Sequence, residues 1–216
     1  MEKKRSIYDE SILPKSMYLN DQYFSFIQIM SFIEQIWLVR ELKPATVLEI
    51  GIGNGFVSNY LKSIGISVLT YDINPNLEPD IVGSIDDLGK HFQDRTFDMV
   101  LCAEVLEHTE FENFEKYIQN ISKISTHAII TIPRAQKLFL NFQWYIQLPF
   151  VGSKLLGFSL ARRTFHISKS HQWEIDSSLN TSMNQIKKII SKYFTIVRYG
   201  KMRFASYQLY FILRRI

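Results

Sequence analysis

The stretch Val47-Leu48-Glu49-Ile50-Gly51-Ile52-Gly53-Asn54-Gly55-Phe56 decides the fold. A buried-strand run is broken by three alternating glycines, and a helical pattern follows. Alternate glycines let the backbone turn sharply and approach a ligand where a Cβ would clash. The next apolar run, Val68-Leu69-Thr70-Tyr71-Asp72, ends in an acid. A strand, a glycine turn, a helix and a strand ending in a carboxylate form the nucleoside-holding unit of open α/β sheets. A carboxylate at that edge can accept both hydroxyls of a ribose. The competing reading of Asp72 is a solvated turn residue before Asn74-Pro75.

The spacing argues against a dinucleotide. The fingerprint G-x-G-x-x-G needs a third glycine for close helix–strand packing. Phe56 stands at that position counted from Gly51, and Ser58 counted from Gly53. No G-x-x-x-x-G-K-[S/T] phosphate loop is present either.

Outward from this stretch the chain alternates. Strands are predicted at 46–50, 67–71, 80–82, 97–102 and 127–132. Helical patterns fall at 21–42, 54–64, 84–92, 111–123 and 182–193, the first ended by Pro44. This order predicts a doubly wound, mostly parallel sheet. At the end, Phe194–Tyr199 and Ser206–Leu213 read as strands joined through Gly200, hence an antiparallel hairpin. Residues 1–16 read as an arm.

Three segments together resemble class I S-adenosylmethionine-dependent methyltransferases. Leu48–Gly55 is similar to their first motif. Phe97-Asp98-Met99-Val100-Leu101-Cys102-Ala103-Glu104-Val105-Leu106-Glu107-His108 is similar to their fourth-strand segment. Ala128–Pro133 looks like the fifth strand and its exit. The resemblance implies a seven-stranded Rossmann-like methyltransferase fold with the last strand inserted beside the fifth. It also implies S-adenosylmethionine as cofactor. Gly51, Ile52, Gly53 and Gly55 would face its methionine portion, and Glu49 would orient its amino group. Asp72, with Ile73 beside it, would bind the ribose. Ser84 and Ile85 would lie beside the adenine. Cys102, Ala103 and Glu104 would line the wall below the sulfonium. The chain departs from the family at 74–79, where a proline-rich linker replaces a helix, and at Ser84, where an acid is usual.

With 216 residues, 46% of them hydrophobic, one core and one domain are expected. The division would be a helical cap over 1–44, a cofactor core over 45–135, a substrate insert over 136–181, and a helix with hairpin over 182–216. The single Cys102 excludes an internal disulfide and a cysteine metal cluster, and no metal is expected. A net charge of +4 is too mild to imply nucleic acid. The charged Met1–Arg5 is not followed by an apolar signal core, so a cytoplasmic protein is expected.

Residues 138–161 are aromatic and aliphatic without any acid, and are interrupted too often for a membrane-spanning helix. A substrate lid is the preferred reading. Docking onto a membrane or a lipid-linked substrate is the second, and plain core packing the third. Trp144 lies in this run. After it, Arg162, Arg163, His166, His171 and Trp173 cluster in a predicted loop suited to an acceptor. His171-x-Trp173-Glu174 resembles a segment of methyltransferase-like proteins of bacterial surface-polysaccharide clusters. The arginines suit a phosphate or carboxylate, the indole a flat ring. His108 and His171 are rival candidates for the general base. The expected reaction is methyl transfer to a small-molecule oxygen or nitrogen, the acceptor a sugar or a nucleotide- or lipid-linked intermediate. The alternatives are an RNA methyltransferase and a non-catalytic cofactor-binding partner.

Overall fold

The computed structural model describes residues 9–216, apart from 22, 94, 95 and 151. One sheet organises it, in the order β3-β2-β1-β4-β5-β9-β8. The strands are β1 (Thr46–Ile50), β2 (Ser67–Asp72), β3 (Ile81–Val82), β4 (Phe97–Ala103), β5 (Ser125–Pro133), β8 (Phe194–Lys201) and β9 (Gln208–Arg215). The first five run parallel, and β9 runs antiparallel to both β5 and β8. β1 is flanked by β2 and β4, so the sequence order reverses there and opens a crevice at the strands' carboxyl ends. The glycine turn leaves β1 at this switch point.

The inner strands are largely apolar because both faces are covered. In β4, Val100 and Cys102 join one core cluster while Met99 and Leu101 join the other. On the second face lie α1 (Phe26–Leu42) and α2 (Phe56–Ser63), through Phe32, Val39, Val57 and Leu61. On the first lie α3 (Leu88–His91), α4 (Phe114–Ile124) and α5 (Met183–Ile190). The first helix starts at 26 rather than 21, because the Ser25 hydroxyl caps it by accepting the Gln28 N–H at 3.3 Å. The arm before it forms short 3-10 turns at Glu10–Ile12 and Lys15–Leu19; residues 1–8 of the expected arm lie outside the described residues. The 74–79 linker holds one 3-10 turn, Pro75–Leu77.

The segment read as a lid is a long hairpin of its own. β6 (Gln136–Leu148) pairs antiparallel with β7 (Gly152–Arg163), separate from the main sheet. Asn141 and Gln143 donate inward to the carbonyls of Arg203 and Phe204. The opposite face pairs Leu140 with Leu160, Phe142 with Phe158, and Trp144 with Leu156, all exposed. Period-two alternation is masked here, since Phe139 and Tyr145 on the inward-facing parity are also apolar and exposed. Among the described residues no helix is long and apolar enough to cross a membrane.

Trp173 is part of the core and not a platform for substrate. It is 3% exposed, with Phe111 at 5.0 Å and Phe114 at 5.3 Å edge-on to its ring. Trp144 is 53% exposed on the hairpin's outer face. Trp173→Ala should therefore cost about 3–5 kcal/mol of unfolding free energy. Trp144→Ala should stay within about 0.5 kcal/mol. Urea denaturation of both variants checks the contrast.

Candidate active site

The glycine turn is held on three sides. Gly51 (φ +82°) and Gly53 (φ +53°) both sit in the left-handed region. A Cβ on Gly51 would collide with the Val105 side chain, and one on Gly53 would lie 2.7 Å from the Tyr23 hydroxyl. Gly55 (φ +75°) precedes α2 as its cap. Asp72 completes the frame. Its Oδ2 accepts the Ile52 N–H and its Oδ1 the Asn74 N–H, both at 2.8 Å. Each oxygen keeps a second lone pair. Burial raises the Asp72 pKa, partly offset by these backbone donors.

Glu49 lies in β1 just before the turn. It is buried and its Oε2 has no hydrogen-bond partner. Burial pushes its carboxyl up to about 8, with hydrogen bonding from Ser58 opposing the shift. An orphaned buried carboxylate oxygen beside a glycine cradle fits an ammonium group. With Asp72 across the turn, the residues present fit S-adenosylmethionine.

The N-terminal turns roof this cradle, an element the sequence reading left as an arm. Tyr18 packs edge-on to Tyr23 at 5.2 Å and donates to Glu10 Oε2 at 3.0 Å. Asn74 Nδ2 donates to the Leu13 carbonyl at 2.8 Å, and Lys15 pairs with Glu78. Burial raises both phenols above their usual range.

The other proposed cofactor residues are placed less uniformly. Ile73 is exposed. Ser84 caps the Ile85–Asp87 turn, and its carbonyl accepts from the Tyr71 hydroxyl at 2.8 Å. Ile85 and Cys102 are buried in the core, Cys102 fully enclosed. Ala103 is half-buried. Burial also raises the Cys102 thiol, so it is no nucleophile.

At the exit of β4 the chain kinks through Glu104 (φ +57°), whose Oε1 accepts from Gln28 Nε2 at 3.3 Å. Burial raises this carboxyl too. Glu104, Arg134, His166, His171, Glu174 and Tyr207 are among the residues lining a cavity of about 480 Å³. His171 Nδ1 lies 2.8 Å from Glu174 Oε1, and the His108 and His171 rings stand edge to face at 5.1 Å. The two rival bases are therefore neighbours. Burial lowers the His108 pKa, favouring its neutral form. Of the remaining acceptor candidates, His166 reaches the cavity. Arg162 is exposed on the hairpin, paired across from Lys137. Arg163 donates to the Asp176 carbonyl at 2.9 Å. Arg134, which sequence reading missed, pairs with Asp176 at 2.7 Å.

The folded Glu49 pKa lies above its unfolded value, so the folded state holds more protons between them. The cofactor-free protein should lose stability as pH rises from about 4.5 through about 8. Glu49→Gln should flatten that decline in thermal melts taken from pH 5 to 8.

Residues 48–127 match the family described as a methyltransferase domain. Over 184 residues the chain is 27% identical to the ubiquinone biosynthesis O-methyltransferase of Rickettsia typhi, covering 76% of this chain and 71% of that one. Among solved structures, the PH0226 protein of Pyrococcus horikoshii OT3 is similar with a TM-score of 0.59 at 17% identity, covering 93% of this chain and 99% of that one. The N-methyltransferase NodS of Bradyrhizobium japonicum WM9, solved with S-adenosyl-L-homocysteine, has a TM-score of 0.55 at 13% identity, covering 88% of each chain. The two structural likenesses concern the fold. The domain match, the methyltransferase relative and the glycine turn support an S-adenosylmethionine-dependent methyltransferase.

Proposed function

We propose that the protein methylates a hydroxyl of a small, lipid-associated acceptor. The observation that carries this reading is the continuity of two compartments. The cradle of Glu49, Gly51, Gly53 and Asp72 meets the polar cavity of Glu104 and His171 through one short segment, Glu104-Val105, which packs on Gly51. Bound in the cradle, S-adenosylmethionine supplies an electrophilic methyl group on sulfur. Glu49 holds the cofactor's ammonium and Asp72 its ribose hydroxyls, while Ile52, Ile73, Ser84 and Ala103 flank them. Glu104, His166 and His171, which line the cavity, hold the acceptor, with His108 behind His171. In-line placement of donor and acceptor lowers the barrier without covalent help from the protein. The name of the Rickettsia typhi relative, an O-methyltransferase, supports oxygen as the acceptor atom.

Asp72→Asn keeps the side chain's shape but weakens its charged hydrogen bonds. It should reduce S-adenosylmethionine affinity about 10- to 100-fold, the equivalent of ~1.5–3 kcal/mol. His171→Ala should leave that affinity unchanged and lower turnover about 100-fold, read as S-adenosylhomocysteine release with a hydroxylated quinol-type acceptor. Unchanged affinity in the first variant would remove the ribose role.

The hairpin supports the lipid side of this reading. Its outward ladder of Leu140, Phe142, Trp144, Leu156, Phe158 and Leu160 is exposed, and the hairpin carries Lys137, Lys154, Arg162 and Arg163 with no acid. Apolar side chains flanked by cations suit an anionic lipid surface. The protein should co-sediment with phosphatidylglycerol vesicles, and Trp144→Ser with Phe158→Ser should abolish this. Equal sedimentation of the double variant would contradict it.

A further inference from the structure

Sequence reading set His108 against His171 as alternative bases and foresaw no metal. Their surroundings point elsewhere. The loop carrying His171 is stitched to the β4 exit: the Gln172 N–H donates to the Glu107 carbonyl at 2.8 Å, and Gln172 Nε2 to the His108 carbonyl at 3.1 Å. This brings Glu107, His108 and His171 together, with one ligand atom of each within 4.8 Å of the others.

Both imidazoles are held at Nδ1. His108 Nδ1 lies 3.0 Å from the Ser170 carbonyl and 3.3 Å from Glu10 Oε1, both acceptors, so Nδ1 carries the proton. His171 Nδ1 lies 2.8 Å from Glu174 Oε1, and that carboxylate oxygen also takes the Ser168 N–H at 2.9 Å. Each ring is thereby fixed in the tautomer whose Nε2 is a free lone pair. Carbonyl–histidine and carboxylate–histidine pairs of this kind are the outer partners that orient metal-ligating imidazoles.

Glu107 supplies the third group. It is fully buried, and both of its carboxylate oxygens lack a hydrogen-bond partner. A buried carboxylate in that state is costly unless it is neutralised or meets a cation. No lysine or arginine ion pair among those described reaches it.

We infer that Glu107, His108 and His171 bind a divalent first-row cation whose open positions face the acceptor cavity. Two imidazoles and one carboxylate suit Mn²⁺, Fe²⁺ or Zn²⁺ better than Ca²⁺, which prefers oxygen ligands throughout. Bonds of ~2.1 Å keep ligand atoms ~3–4 Å apart, so side-chain shifts of about 1 Å close the set. His171 alone of the three lines the cavity, so an acceptor oxygen would approach the ion from the His171 side. This last step rests on the methyl-transfer reading; the ion site itself does not.

The test is titration of the full chain, stripped with chelator, with MnCl₂, followed by calorimetry and by the electron paramagnetic resonance signal of free Mn²⁺. One Mn²⁺ per chain is expected, displaced by Zn²⁺. Glu107→Gln and His171→Ala should each weaken it more than 10-fold while S-adenosylmethionine affinity, titrated separately, holds. Should Glu107→Gln not fold, His171→Ala in its surface loop decides. No Mn²⁺ or Zn²⁺ bound to the wild type, or undiminished binding by the folded variants, overturns the inference and leaves Glu107 a neutral buried acid. Metal binding without S-adenosylmethionine binding would sink the methyl-transfer reading and leave the ion site standing.

Discussion

The structure turns on how closely the backbone at Gly51 passes the side chain of Val105. The turn after β1 and the segment after β4 leave neighbouring strands at the same edge, and only a residue without Cβ lets them touch. Asp72 then ties the turn to the end of β2 through the Ile52 N–H. Three strand ends are tied into one rim, with the proposed cofactor residues on one side of the contact and the proposed acceptor residues on the other. A side chain at position 51 would separate the two compartments.

The same rim collects carboxyl groups out of water. Glu49, Glu104 and Glu107 lie along it, and each is raised by burial. Folding alone does not reward such an arrangement, because a buried carboxylate without a counter-charge loses its hydration. On the readings proposed above, the compensation is cationic ligands: an ammonium and sulfonium at the Glu49 side, and a divalent ion at the Glu107 side. Stability and ligand binding are therefore coupled through these groups, and the ligand-free protein carries the cost.

The fold was legible because its signals are local. Buried strands, the glycine turn, Asp72 and the C-terminal hairpin each announce themselves within a few residues, and sheet order follows from their succession. The glycine turn and Asp72 were legible for the same reason, whereas the burial of Cys102 and Ile85 was not, since alternation alone does not say which strand face is enclosed. The acceptor side was not. Trp173 looked like a recognition residue until its packing on Phe111 and Phe114 fixed it in the core. His108 and His171 are distant in sequence, and their pairing depends on Gln172 stitching two loops. The β6–β7 hairpin hid its period because Phe139 and Tyr145 share the inward parity with Asn141 and Gln143.

Calorimetric titration of the purified chain with S-adenosylmethionine, with NAD run alongside, tests the cradle most directly. The arrangement of Glu49, the glycines and Asp72 predicts one S-adenosylmethionine bound per chain and no heat of binding from NAD. Binding of NAD, or of neither ligand, would contradict it.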